Sequence, residues 1–369
     1  MKLVCSKSNL LNAVNIVSKA VPSKTTMSIL QCILINATTS EIKFTANDME
    51  LGIETKVEGE ILEKGIIALD AKIFSEIVRK LPDSDVRIET DDNYKTTITC
   101  EKSKFNIIGK SGEDFSYLPR IEKNESIVMS QFTLKEVIRK TIFSISDNDT
   151  NQIMTGELFD IQDNLLKVVS LDGHRVSIRT IELNESYNNI KLIVPGKTLN
   201  EISKILSGDI DKNVSIYYTK NHILFEFDET TVVSRLIEGE YFKIEQMISP
   251  NYDTKIRINK KEFLNCIDRS TLLVKEGDKK PIIINITDGT LNLRINSFIG
   301  SMDEDIDITK EGKDILIGFN PKFLIDALRV IDEEEINIYL VNPKAPCYIK
   351  DDDETYTYLV LPVNFNVVD

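Results

Sequence analysis

Histidine is nearly absent: His174 and His222 are the only two in 369 residues. Neither stands in a Ser/His/Asp or Cys/His pattern of recognisable spacing, so imidazole catalysis has little to work with. The five cysteines, Cys5, Cys32, Cys100, Cys266 and Cys347, are far apart, odd in number and form no CxxC pair. That argues against a disulfide framework and a zinc site and leaves small buried hydrophobes. No stretch approaches the roughly 18 consecutive apolar residues of a membrane span. Met1-Lys2-Leu3-Val4-Cys5 lacks the apolar core of a signal peptide, so a cytoplasmic protein with no membrane partner is expected. There is no low-complexity tract, and 41% hydrophobic with 28% charged residues is the composition of a folded chain.

What is present is repetition. At about 100–200 residues per domain the length predicts two or three domains. Val4 to Val14 can be laid on Val128 to Ile138 and on Arg257 to Ile267, at offsets of +124 and then +129. Apolar positions coincide at Leu10/Leu134/Phe263, Ala13/Val137/Cys266 and Val14/Ile138/Ile267, the i, i+3, i+4 stripe of an amphipathic helix. A second helix is expected about 65 residues later in each unit, at Lys72 to Leu81, Lys197 to Leu206 and Lys322 to Ile331, with an offset of +125 both times. Alternating runs follow at Val86 to Glu89, Val214 to Tyr217 and Ile336 to Tyr339, and further strands lie between the helices at Ile33 to Ile35, Ile42 to Ala46, Leu165 to Leu171, Ile282 to Ile286 and Leu291 to Ile295. Each unit reads strand, helix, strands, helix, strands: an α+β domain of two helices on antiparallel sheet. The joins fall in polar, proline-bearing stretches, Ser111 to Asn124 and Glu245 to Asp253. Three domains are expected at 1–122, 126–247 and 253–369.

The net charge of −14 argues against a protein coated in nucleic acid, yet the charge is unevenly placed. Within the six expected helices (7–20, 72–81, 132–145, 197–206, 260–274, 322–331) Lys and Arg number 15 against 6 Asp and Glu, a balance of +9 that leaves −23 elsewhere. Polyanion binding is thus expected on the helical face alone. Helices are about 10 Å across, so six in a closed ring leave a hole of about 9 Å and twelve leave about 28 Å. Duplex DNA, about 20 Å wide, fits only the second. Two chains could enclose a duplex; one could not.

Other chemistry is thin. Gly109-Lys110-Ser111 looks like the end of a phosphate loop, but position 104 is Lys where glycine is needed, and a turn is expected instead. The acidic clusters Asp303 to Asp305, Asp332 to Glu335 and Asp351 to Glu354 can in principle hold Mg²⁺, though all are expected at loops or strand ends as solvated turn charge. Two segments carry surplus apolar character: the Leu171-Asp172-Gly173-His174-Arg175-Val176 turn and the C-terminal Tyr358 to Phe365, a pairing that suggests a docking site.

Those two segments, with the Ser111 to Pro119 joint, Leu236-Ile237-Glu238-Gly239 and the terminal Leu361-Pro362-Val363, resemble the bacterial sliding clamp family, the beta subunit of DNA polymerase III, over the whole chain. The resemblance implies a DNA clamp fold and a head-to-tail homodimer, a six-domain ring around double-stranded DNA. It implies a non-catalytic processivity factor with no catalytic residue, cofactor or metal, tethering the replicative polymerase alpha subunit, the clamp loader and other clamp-binding-motif proteins. By position it implies a peptide groove of Met154, Leu171, Gly173, His174, Arg175, Val176, Phe242, Met247, Leu359, Leu361, Pro362 and Val363, with Arg175 available to pair with peptide carbonyls or acids. It places Lys24, Asn148 and Gln152 at DNA. The helix cations Lys72, Arg79, Lys135, Arg139, Lys197, Lys204 and Lys322 join them on the charge argument. Phe105, Leu272 and Leu273 match the apolar dimer contacts. The chain departs from the family at Phe242-Lys243-Ile244, where Pro-Asp-Tyr is usual, and in a longer tail, Asn364 to Asp369. The competing readings are a metal-dependent hydrolase or nuclease using Asp303 and Asp305, and a peptide-binding scaffold that never meets DNA.

Overall fold

The computed structural model describes residues 1–116, 118–123, 126–148, 150–248, 251–274 and 280–365. Tyr117 of the joint motif, Asn124 at one expected join, residues 249–250 within the other and the tail from Asn366 to Asp369 lie outside the described residues.

Six α-helices form where the stripes predict them: α1 (Lys7–Val17), α2 (Ala71–Lys80), α3 (Gln131–Thr141), α4 (Gly196–Ile205), α5 (Lys260–Thr271) and α6 (Pro321–Val330). Every apolar stripe position named above for the first helices is buried, as are Phe74, Ile77 and Leu81, Leu199, Ile202 and Leu206, and Leu324, Ala327 and Ile331. The repeat extends to the caps. Ser6, Ser130 and Asn259 occupy equivalent positions, and each accepts from the backbone N–H three residues on, at 3.2, 3.0 and 3.1 Å. Each removes one unsatisfied donor from a helix start. Helices α1, α3 and α5 end at residues 17, 141 and 271, short of the expected 20, 145 and 274, because i to i−3 bonds tighten the chain there, as in Ile145 N–H to Ile142 O and Leu273 N–H to Ser270 O.

By contacts the chain divides into two compact units, Met1–Lys135 with Asn200–Leu236, and Glu136–Leu199 with Ile237–Asp369. Two of the three cuts fall inside α3 and α4, so the compact units do not follow the sequence repeats. Sheet pairing explains why. In the first unit a nine-stranded antiparallel sheet joins Leu51–Val57 of the first repeat to Thr230–Arg235 of the second, with Thr55 opposite Thr230 and their buried hydroxyls 2.9 Å apart. A five-stranded sheet completes that unit, with Ser103–Ile108 at one edge. In the second unit a seven-stranded sheet joins Arg175–Pro195 of the second repeat to Tyr356–Val360 of the third, with Val176 opposite Leu359. A four-stranded sheet lies in the same unit, and Ser301–Asp307 is one of its edges. Helices α1 and α2 pack together in the first unit, as do α5 and α6 in the second.

Three expectations need correction. Lys110–Ser111 is a two-residue strand paired with Ala68 and Ile67, so the false phosphate loop enters a strand instead of making a turn. Asp303, Glu304 and Asp305 lie within the strand Ser301–Asp307, not in a loop, where alternation puts acids on its open face. The strand expected at Leu165 to Leu171 is the end of a longer one, Gly156–Leu171, paired with Arg175–Pro195 as a long hairpin. All five cysteines are free and buried, and burial pushes the Cys347 thiol up to about 12. Among the described residues no helix is long and apolar enough to cross a membrane.

Candidate functional site

The site grows from the Asp172–His174 turn between the two strands of the long hairpin. Asp172 Oδ1 accepts from His174 N–H at 3.0 Å and Arg175 N–H at 3.2 Å, an Asx turn that bends the chain. Gly173 sits at φ +86°, the left-handed region that glycine enters without strain. Beyond the turn, Arg175 pairs with Val360 and Val176 with Leu359, and Leu361 N–H donates to His174 O at 2.8 Å. The last strand is thereby held beside the turn.

Between them lies an apolar cavity of about 370 Å³. Its walls are Met154, Leu171, Gly173, His174, Arg175, Val176, Phe242, Met247, Leu359 and Leu361, all expected, together with Pro346. Leu171, Val176 and Leu359 belong to a buried cluster that also contains Leu158, Ile193, Ile244 and Tyr348, so the floor is preformed. Leu361 and Met247 are exposed apolar side chains at the rim. Pro346 could not be read from sequence, because it closes a polar Asn342-Pro343-Lys344-Ala345 turn with no apolar pattern; Asn342 Oδ1 caps that turn by accepting from Lys344 and Ala345 N–H. Pro362 and Val363, also expected in the groove, are half-buried directly after Leu361 and lie beyond the walls of this cavity. Val363 N–H donates to Gly318 O at 2.8 Å, which draws this end of the chain to the strand Ile315–Phe319.

Arg175 is the charged member of the wall. It is only 7% exposed, and its guanidinium donates to Asp172 Oδ2 (2.9 Å), Asp326 Oδ2 (2.7 Å) and Phe143 O (2.6 Å) while lying over the Phe323 ring at 4.6 Å. Three of its five N–H donors are thus engaged inside the protein, and its charge is balanced by two carboxylates before any ligand arrives.

The expected DNA-facing residues divide by how their charge is engaged. Lys24, Lys72 and Lys322 are exposed. Arg79 pairs with Glu76 and Lys204 with Glu201, one helical turn away in each case. Lys135 Nζ donates to Leu206 O at 3.0 Å, just past the end of α4. Arg139 is bound to Glu136, Asp332 and Val330 O, and with Lys140 it holds the Asp332 carboxyl below the usual range. Arg139, like Arg79 and Lys204, is thus paired with carboxylates inside the chain, so part of the +9 helical balance is already neutralised locally. Asn148 and Gln152 are exposed on the turns flanking Thr150, and Lys197 is exposed on α4.

At the expected dimer contacts, Phe105 is exposed on the edge strand Ser103–Ile108 and Leu272 is 78% exposed just past α5, while Leu273 is partly buried against the core of the second unit. Sequence reasoning missed Ile108, 76% exposed on the same edge strand, and Phe298, 98% exposed on a turn of the second unit. An alternating pattern cannot tell an outward edge residue from an inward one. The acidic strand is knitted to its neighbours: Asn292 donates to Asp303 and Asp305, and Arg269 beside Glu304 lowers its carboxyl. Among the described residues no cluster of three His, Cys, Asp or Glu is placed to hold a metal ion.

Three repeats of two helices on antiparallel sheet are thus joined by strand pairing across each repeat boundary. Domain models of the DNA polymerase III beta subunit match residues 1–119 (N-terminal domain), 128–243 (central domain) and 245–364 (C-terminal domain). A curated beta sliding clamp from Staphylococcus epidermidis is 33% identical over 376 residues, spanning 98% of this chain and 99% of its own. Among solved structures, a DNA polymerase III beta subunit from Eubacterium rectale is 73% identical with a TM-score of 0.96, covering 99% of this chain and 100% of its own. The Bacillus subtilis DNA polymerase sliding clamp is 34% identical with a TM-score of 0.95 over the same shares. The chain belongs to the DNA polymerase III beta subunit family, the sliding clamps. It is accordingly a non-catalytic processivity clamp of DNA replication. The hydrolase reading finds no support.

Proposed function

We propose that two copies of this chain, each with clamp domains at 1–122, 126–247 and 253–369, close head to tail into a six-domain ring that encircles duplex DNA. The ring tethers the replicative polymerase alpha subunit, the clamp loader and other proteins bearing a clamp-binding peptide through the apolar groove. The observation that carries the tethering role is the groove itself: a preformed cavity of about 370 Å³ with almost wholly apolar walls and two exposed apolar side chains at its rim. Such a seat takes one or two large apolar side chains of an extended peptide. Tethering raises the local concentration of polymerase at the primer end without chemistry.

The dimer reading is supported by two open sheet edges of opposite charge. Ser103–Ile108 presents Phe105 and Ile108 beside Lys102 and Lys104, and Ser301–Asp307 presents Asp303, Glu304 and Asp305. An open edge with apolar side chains calls for a strand from another chain. Lys24, Lys72, Lys197 and Lys322 supply exposed positive charge for the DNA-facing side, and Arg79, Lys135, Lys204, Asn148 and Gln152 belong to the same side. Primer extension by a cognate replicative polymerase tests the reading. Product length should rise when the loaded chain is present and fall back when free groove peptide is added in excess; products unchanged by the loaded chain would overturn it.

A further inference from the structure

Arg175 lines the groove, yet what holds it comes from the third repeat. We infer that Asp326, on α6, is a positioning residue for peptide capture: it fixes the turn wall of the groove by anchoring Arg175. The inference rests on the groove reading above and deepens it.

The linkage is continuous and each step is a short contact. Asp326 Oδ2 accepts from Arg175 at 2.7 Å. Arg175 Nε donates to Asp172 Oδ2 at 2.9 Å, and the other oxygen of Asp172 holds the backbone N–H groups of His174 and Arg175. His174 O in turn accepts from Leu361 N–H at 2.8 Å. Asp326 thus reaches the rim leucine through three residues without itself lining the cavity. The same helix supplies Phe323 one turn earlier, and its ring lies under the guanidinium and 5.8 Å from the His174 ring.

Charge makes Asp326 necessary. A guanidinium removed from water needs carboxylates and hydrogen bonds around it, and removing one partner of a buried pair leaves the other uncompensated. With Asp326 gone, Asp172 is the only carboxylate among the described residues left to balance Arg175, and the same Asp172 must hold the turn. An Arg175 side chain drawn toward water would carry Asp172 and the turn with it. The groove wall would then have more than one position, and a ligand that needs one of them loses affinity in proportion to its population.

The test titrates the full-length chain and the Asp326→Asn variant into a fluorescein-labelled hexapeptide containing two leucines and a phenylalanine separated by serines. Oligomer mass is measured on the same samples. Asp326→Asn should weaken peptide binding about tenfold with the oligomer unchanged. Asp326→Glu, which keeps the charge, should recover binding to within about threefold of the native chain. Asp172→Asn combined with Asp326→Asn should cost less than the sum of the two, because both act on one guanidinium. Native affinity in Asp326→Asn would overturn the inference, and so would equal losses in the Asn and Glu variants accompanied by loss of the oligomer. Failure of the native chain to bind the peptide is a different result: it removes the groove reading, and this inference with it.

Discussion

Asp48 and Asp172, 124 residues apart, make the same turn. Asp48 Oδ1 accepts from Glu50 N–H and Leu51 N–H at 3.0 and 2.7 Å, as Asp172 Oδ1 accepts from His174 and Arg175. Met49 holds φ +79° where Gly173 holds +86°. Arg235 N–H donates to Glu50 O as Leu361 N–H does to His174 O, and Gly52 faces Val233 as Val176 faces Leu359. The first unit therefore carries the backbone frame of the groove one repeat earlier, with different walls. Its cavity is about 90 Å³, lined in part by Asn47, Glu50, His222 and Arg235, and the Leu118 side chain stands where a Cβ on Gly52 would go.

One peptide per chain follows from that difference. The earlier frame is too small and too polar for a large apolar side chain. Calorimetric titration of the hexapeptide should give one site per chain; two sites of similar affinity would contradict it.

The rim divides sharply at the C-terminal segment. Leu361→Asp puts a charge into the apolar cavity and should weaken peptide binding at least a hundredfold, since burying an unpaired carboxylate costs several kcal/mol. Val363→Asp lies outside the cavity walls and should change affinity by less than about threefold. Fluorescence anisotropy with both variants checks the pair, and comparable losses would move the groove's boundary.

Glu157 gives a pH signature. It is fully buried on the strand that also carries Leu158 and Leu171, and neither carboxyl oxygen has a hydrogen-bond partner among the described residues. Burial pushes it up to about 8; Thr141, the one group opposing that rise, directs its hydroxyl to Val137 O. The folded chain thus keeps a proton that the unfolded chain loses near 4.5. Stability from this group is full below about pH 4.5 and is lost as pH rises to about 8, at about 1.4 kcal/mol per pH unit. Glu157→Gln should flatten that slope and raise stability at pH 8. Chemical denaturation across the window measures both, and an unchanged slope would contradict the assignment.

The fold was largely legible because it is repeated. Three copies of one apolar stripe reinforce each other, and all six helices follow from residues such as Leu10, Leu134 and Phe263 that are buried alike. The strand pairings across repeats were not legible: Thr55 opposite Thr230 is a contact of 175 residues in sequence separation, and no local pattern encodes it. Ten of the eleven groove walls were reached through the resemblance, while Pro346 sits in a turn whose polarity hides it. The partners of Arg175 and Arg139 were not legible either: the resemblance and the charge count name the two cations, and only the fold shows Asp326 and Asp332 closing on them.

The central claim is topological, and one measurement addresses it directly. The chain is loaded by a cognate clamp loader with ATP onto nicked circular DNA, and its retention is followed before and after the circle is cut once. A ring that encircles the duplex without binding it tightly stays on the circle and leaves through the new ends, because retention then depends on closure and the exposed lysines contribute only screened attraction. Release on cutting is the predicted result; retention unchanged by the cut, with loading verified, would mean direct binding and contradict the ring.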